Sequence, residues 1–276
     1  LSSKPPLGIG WTKGPMGGDR PQSGLTARKA ANIRRRKGED PTARTVDPSL
    51  AARYKDTIKY SLADVDGTDY HKTGGQGGSN SGGQYTNVNT GEVFYVKTYS
   101  DTGQARAEIL ASKLYQLAGV EVAKYSPATR NGEFSVISPW AEGLYQDERA
   151  LTSDRVPGVQ ENFGVDAWLG NYDVVGLVHD NLALKDGRGY RHDFGGVFEF
   201  RASGGRKSAI DVAQWGQVVN EIEAMRDPAT GREAVDVMNK VTDQDLASAY
   251  TRILKIPSEV LEEAAKKSGD KNLLKV

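Results

Sequence analysis

The stretch that most constrains the fold is residues 168–196, WLGNYDVVGLVHDNLALKDGRGYRHDFGG. Three polar marks interrupt it: Asn171-Tyr172-Asp173, Asp180-Asn181 and Asp193-Phe194-Gly195-Gly196. Between them lie two apolar runs, 174–178 and 182–184, and a tight turn at Asp186-Gly187-Arg188-Gly189. An acidic loop, a strand, a glycine-containing turn, a second strand and another acidic loop make a β-hairpin. Such a hairpin returns its second loop to the end where the first began, which brings Asp173, Asn181 and Asp193 together. Two carboxylates and an amide oxygen are hard oxygen ligands. With phosphate oxygens and waters added, they suit Mg²⁺.

The 276 residues are enough for one large domain or for two lobes with a shared core. Lys and Arg together number 36, as do Asp and Glu, so bulk charge names no partner. Cysteine is absent, which excludes disulfides and thiolate metal sites. The only histidines are His71, His179 and His192, too few and too scattered for a histidine-built zinc site. No apolar run approaches the ~20 residues needed to span a bilayer. The first residues have neither the basic nor the apolar region of a signal peptide. A cytoplasmic protein without a membrane partner is expected.

Residues 1–60 read as an extended N-terminal arm, rich in Gly, Pro, Ser and charge, with a short helix at 50–60 leading into the fold. The arm has few large apolar side chains to offset the entropy of ordering. Arg28-Lys29 and Arg34-Arg35-Arg36-Lys37 form a basic block that nucleic acid or another acidic surface could meet. A solvated tail is the first reading. An arm that orders against a neighbouring protein subunit also suits its length.

The texture changes after residue 60. A glycine-rich run, Gly74-Gly75-Gln76-Gly77-Gly78-Ser79-Asn80-Ser81-Gly82-Gly83, precedes a strand at 92–97. Such a loop lets a ligand approach the backbone, whose N–H groups can cradle phosphate oxygens. Gly77, Gly78, Ser79, Asn80, Ser81 and Gly82 are its candidate binding residues. Lys97 ends the apolar strand, and a buried ammonium requires a partner. Residues 105–117 have helical spacing, with Ile109, Leu110, Leu114 and Leu117 on one face and Gly119 as a stop. Glu108 borders that face and is the expected partner of Lys97. Residues 120–125 and 134–140 read as two strands joined through an Asn131-Gly132 turn.

Ser138 to Gly143 then breaks the strand pattern, and 164–169 looks like the end of a helix. Gly204-Gly205-Arg206-Lys207 reads as a basic, solvated turn that could also contact a substrate or phosphate. Helices follow. Residues 218–225 are amphipathic, Thr242 caps 243–254, and Pro257-Ser258 opens a helix to Lys267 that Gly269 ends. Trp215, Val235 and Met238 are assigned to the core.

Taken in order, these parts resemble the protein-kinase-like fold. The order is glycine loop, strand lysine, helix glutamate, hinge, catalytic aspartate, asparagine and Asp-Phe-Gly. Asn181 follows Asp173 by eight residues, a wider spacing than in ordinary protein kinases, and Asn171-Tyr172 precedes the aspartate. The resemblance is thus to atypical kinases of the HipA-like and phosphoinositide-kinase-like kind.

It implies an α+β, two-lobed fold, with residues 61–143 as an antiparallel sheet lobe holding one helix and 144–276 as a helical lobe. It also implies ATP and Mg²⁺ in the cleft and transfer of the γ-phosphoryl group to a hydroxyl acceptor on a protein. Lys97 would hold the phosphates with Glu108 behind it, and Asn181 and Asp193 would hold the metal. The base position is open among Asp173, His179 and Asp180, with Asp173 the residue that the resemblance places on the nucleophile. The other implied reading is a kinase-like structural or interaction subunit, weak or inactive in catalysis, within a large assembly such as a virus particle. The long arm and the stretched spacing point that way.

Overall fold

The computed structural model describes residues 48–201, 203–207, 225–229 and 232–269. The basic arm, the 218–225 helix up to residue 224, and Trp215 lie outside the described residues.

Helix α1 (Pro48–Thr57) comes first and buries Tyr54 and, just past its end, Ile58. Tyr54 and Ile58, assigned to the arm by composition, therefore belong to the core. Six strands follow: β1 (Ala63–Asp64), β2 (Tyr70–Lys72), β3 (Ser81–Asn87), β4 (Val93–Thr98), β5 (Ser126–Arg130) and β6 (Glu133–Pro139). They form one sheet in the order β1-β5-β6-β4-β3-β2, antiparallel except for the β1–β5 pair. β4 is central, so Lys97 lies between Gly82 of β3 and Val136 of β6. Alternation along β4 sends Val96 into a small cluster on one face with Val65, Tyr85, Ala128 and Ile137. Tyr95 and Lys97, one residue to either side, point to the opposite face.

That second face is covered by helix α2 (Thr102–Leu117), capped by the Asp101 carboxylate on the Gly103 N–H at 2.7 Å. Gly119 ends it in the left-handed region, φ 73°. The expected apolar face, Ile109, Leu110, Leu114 and Leu117, is buried, but so are Glu108, Ser112 and Lys113. The helix is enclosed because α1 and the last helix also pack on it.

The turn at Asn131-Gly132 joins β5 and β6 with φ of 53° and 72°, as expected of that dipeptide. The strand before it is displaced from expectation. Residues 120–125 are apolar because Val120, Val122 and Tyr125 sit under α2, and the strand proper is the more polar Ser126–Arg130.

Beyond the sheet the chain forms α3 (Glu148–Ser153), a 3₁₀ turn (Gln160–Asn162), α4 (Phe163–Trp168), then β7 (Leu182–Lys185) and β8 (Arg188–Arg191) as a separate hairpin. Of the apolar run 174–178, Val174 and Val175 enter the lower core while Leu177 and Val178 are 78% and 70% exposed, so it is a loop. Helices α5 (Arg232–Met238), α6 (Asp243–Ile253) and α7 (Ser258–Ser268) complete the chain. Thr242 and Asp245 form a reciprocal capping box on α6, and Gly269 closes α7 at φ 75°. In α5 the core residues are Val237 and Met238, with Val235 only half-buried.

α7 does not stay with the other lower helices. Arg106 of α2 donates to Ser268 O at 2.8 Å, and Val260 and Ala264 share the α2 core with Tyr54 and Ile58. A boundary at residue 143 therefore separates the sheet from the lower helices but not from α7.

Candidate functional site

A cleft of about 560 Å³ opens between the sheet and the β7–β8 hairpin. That is the size of a small-molecule site. Its polar wall holds Lys97, Asp180, Asn181, His192 and Asp193. Gly77 and Gly78 meet it from above, and the segment 138–146 lines it with Trp140, Leu144 and Tyr145. Two contacts pin that segment to the hairpin: Tyr145 N–H to Leu184 O at 3.0 Å and Leu184 N–H to Tyr145 O at 2.8 Å.

Asp193 is aimed by the residue after it. Phe194 is fully buried, with its ring 5.3 Å from Tyr115 and 5.0 Å from Tyr125. The carboxylate it leaves at the wall accepts from Lys97 Nζ at 3.2 Å and from Gly195 N–H at 3.1 Å. Burial pushes the Asp193 carboxyl up, but Lys97 and the Gly195 N–H outweigh it and hold the group below the usual carboxylate range. Lys97 in turn stays charged. Burial opposes the ammonium, and Tyr125, Asp193 and Glu108 more than restore it.

The pairing expected between Lys97 and Glu108 is not the one formed. The carboxylate that reaches Lys97 is Asp193, which lies 96 residues away in the chain. Glu108 is 1% exposed and accepts from the Tyr99 hydroxyl at 2.7 Å. Burial pushes its pKa up to about 8, with the Lys97 charge pulling the other way. Glu108 feels Lys97 without bonding it.

Asp173 and Asn181 meet across their loop. Asn181 Nδ2 donates to Asp173 O at 2.7 Å and to Asp173 Oδ2 at 2.8 Å. This fixes the amide orientation and leaves Asn181 Oδ1 as its oxygen ligand. Asp173 does not itself line the cleft and is tied to it through Asn181. Burial raises its pKa to about 6, against the Asn181 hydrogen bond and with help from Asp193 and Asp180. Of the other residues open for the base position, Asp180 lines the cleft. His179 is buried with Nε2 unpartnered and φ 59°.

The glycine-rich run divides in two. Only Gly77 and Gly78 reach the cleft; Ser79, Asn80, Ser81 and Gly82 do not line it. Ser81 and Gly82 are already in β3, where Ser81 Oγ accepts from Arg130 at 3.0 Å. A Cβ on Gly82 would stand 1.9 Å from Val96 O, so that glycine serves the sheet. Gly77 is held by a residue the motif reading missed: the Tyr95 hydroxyl accepts from Gly77 N–H and donates to Gly77 O, both at 2.6 Å. Its signal was present in the sequence, since Tyr95 and Lys97 are two apart on one strand face.

Arg206 is exposed, as expected of a solvated turn, but Lys207 is half-buried. Arg206 pairs with Glu199 and with Asp101, while Lys207 is bonded inward to three carbonyls.

A fully buried pair stands behind the site. Arg191, two residues before Asp193, meets Asp166 at 2.7 and 2.6 Å and also donates to Gly158 O and Val159 O. Tyr115 donates to Asp166 at 2.8 Å, and Asn171 Nδ2 donates to Tyr115 at 3.1 Å, so the loops bearing Asp173 and Asp193 share one network.

Among the described residues no group of three or more His, Asp or Glu side chains forms a metal cage. The carboxylates of Asp193 and Asp180 and the amide oxygen of Asn181 at the wall are the donor set of a site that completes itself with ligand oxygens and water. This fits Mg²⁺ held with phosphates.

Among solved structures the chain is similar to a Helicobacter pylori proinflammatory kinase, CtkA. The TM-score is 0.51 at 14% identity, over 78% of this chain and 90% of that one. The fold is kinase-like. The lobes of this kinase-like fold are the sheet with α2 and the helices with the β7–β8 hairpin, and the cleft lies between them. Slighter likenesses, which add nothing to that assignment, are to an N-terminal 618-residue fragment of LepB from Legionella pneumophila and to titin kinase with its flanking domains. The first has a TM-score of 0.37 at 14% identity, over 67% of this chain and 36% of that one. The second has a TM-score of 0.34 at 10% identity, over 84% and 54%. No protein-family model and no curated protein matches the chain. Among the described residues no helix is long and apolar enough to cross a membrane.

Proposed function

We propose that the chain is an atypical kinase, of the HipA-like or phosphoinositide-kinase-like kind, that binds ATP with Mg²⁺ in this cleft and phosphorylates a hydroxyl on a protein. The observation that carries the reading is the 3.2 Å contact between Lys97 and Asp193 at the cleft wall, with Asn181 on the same wall. A cation and two oxygen ligands, drawn from three separate parts of the chain, converge where a polyphosphate would need them.

The residues divide the work by their chemistry. Lys97, charged and set on a central strand, offers its donors to phosphate oxygens. Asp193, kept ionised, and Asn181 Oδ1 are the ligands for Mg²⁺, which would neutralise phosphate charge when bound. Asp173 is the base. A carboxylate titrating near 6 is ionised at neutral pH yet basic enough to take a hydroxyl proton. Trp140, Leu144 and Tyr145 give the apolar half of the cleft for a purine. Gly77 and Gly78 allow the phosphates to approach the backbone.

A second reading is a kinase-like structural or interaction subunit, in an assembly such as a virus particle. It is favoured by the way the site satisfies itself: Lys97 bonds Asp193 and the Gly77 N–H bonds Tyr95. Calorimetry with ATP, with and without Mg²⁺, separates the two. Micromolar binding that needs Mg²⁺ and disappears in Lys97→Ala and in Asp193→Ala is the expected result. A well-folded chain that binds no nucleotide would overturn the enzyme reading and leave the subunit.

A further inference from the structure

Lys207 belongs to neither the cleft lining nor the metal-ligand set, yet it is half-buried and bonded inward. Residues 199–201 and 203–207 pair with one another: Arg201 N–H bonds Gly205 O at 2.7 Å, Gly204 N–H bonds Arg201 O at 2.9 Å, and Lys207 N–H bonds Glu199 O at 2.6 Å. Arg206 fastens the turn outward through Glu199 and Asp101. The return places the Lys207 ammonium on three backbone carbonyls, Gly170 O at 2.6 Å, Gly196 O at 3.1 Å and Phe198 O at 2.7 Å. The Tyr172 ring lies 5.2 Å from the same nitrogen.

The three carbonyls come from two different loops. Gly170 begins the turn that carries Asp173; Gly196 and Phe198 follow the turn that carries Asp193. These loops touch closely already. A Cβ on Gly196 would stand 3.0 Å from Asp173 Cβ, and Phe198 N–H bonds Leu169 O at 2.8 Å. Phe198 holds φ at 51°, a conformation a bulky residue adopts only when its surroundings impose it. Three carbonyl oxygens gathered around one point repel, and a cation among them removes that repulsion.

We infer that Lys207 is a positioning residue whose ammonium clamps the Asp173 loop to the Asp193 loop and so fixes the distance between base and metal ligand. The role of those two aspartates rests on the kinase reading; the clamp itself does not.

The test is amide hydrogen exchange on the full chain, comparing wild type with Lys207→Met, Lys207→Arg and Lys207→Ala. Removing a charged donor from three carbonyls should speed exchange at the Phe198, Val197 and Tyr172 amides together by roughly tenfold or more, with α6 unchanged. In Lys207→Ala, ammonium ion should restore protection at all three, whereas tetramethylammonium, too large and without donors, should not. Lys207→Arg, with a fork in place of a point charge, should recover less than ammonium does. Unchanged exchange at Tyr172 and Phe198, or uniform loss throughout the chain without ammonium rescue, would overturn the clamp. With ATP, Lys207→Met should lower kcat while nucleotide affinity holds. If wild type binds no nucleotide the kinase reading fails, and the exchange data still decide the clamp.

Discussion

Asn181 reaches back eight residues to Asp173 and bonds both its backbone carbonyl and its carboxylate, at 2.7 and 2.8 Å. The amide thereby closes a loop whose tip, Leu177-Val178, is exposed. Asn181→Leu removes both donors. Since the hydrogen bond pulls the Asp173 carboxyl down, its loss should move the acidic limb of a pH–rate profile to higher pH. Asn181→Asp should shift it further, by adding a second negative charge. A limb that does not move in either variant would take Asp173 out of the base role.

Glu108 sets a pH dependence of stability. Its folded pKa is raised to about 8 by burial, above an ordinary carboxylate, so the folded state holds a proton that the unfolded chain has lost. The contribution is fully present below about pH 4, where both states are protonated. It is lost as pH rises towards 8. Glu108→Gln removes the titration and keeps a partner for the Tyr99 hydroxyl. The variant should therefore lose less stability than wild type between about pH 5 and 8. If wild type and variant lost the same unfolding free energy between the two pH values, a buried, protonated Glu108 would be contradicted.

Lys97 and Asp193 should couple. Either Lys97→Met or Asp193→Asn leaves one member of a partly buried pair alone, at a cost of about 1–3 kcal/mol. The double variant should cost less than the sum by about 1 kcal/mol. Strict additivity would mean that the 3.2 Å contact contributes nothing to the fold.

How far the sequence discloses the site depends on the range over which each signal acts. Asp193-Phe194-Gly195, Lys97 and the Asn131-Gly132 turn are local chemistry, and composition and spacing are enough to find them. Which carboxylate meets Lys97 is not local. Glu108 lies nearby on the next helix, but Phe194, inserted between Tyr115 and Tyr125, swings Asp193 into reach instead. The amphipathic reading of residues 105–117 had one face because α1 and α7, some fifty residues before it and more than a hundred after, supply the cover for the rest. Residues 120–125 looked like a strand because they are apolar, and they are apolar because they underlie α2. The polar run Ser126–Arg130, which does pair in the sheet, has no alternation to announce it.

The glycines of the 74–83 run offer the sharpest separation of fold from function. Gly82→Ala would drive a Cβ to 1.9 Å from Val96 O, a backbone atom that cannot step aside. It should destabilise the sheet by about 3 kcal/mol, near the top of the range for overpacking. Gly77 meets only the Tyr95 ring end, at 3.4 Å, and its φ is not in the left-handed region, so Gly77→Ala should keep nearly all of the wild-type stability. Yet Gly77 is one of the two glycines of this run at the cleft, and an added methyl there would block close approach of a ligand to the backbone. Thermal melts together with nucleotide titration should show Gly82→Ala losing melting temperature, and Gly77→Ala losing affinity at an unchanged melting temperature. If Gly77→Ala kept its affinity, the glycine loop would serve the sheet alone, and the phosphates would have to be held by Lys97 and the metal ligands without it.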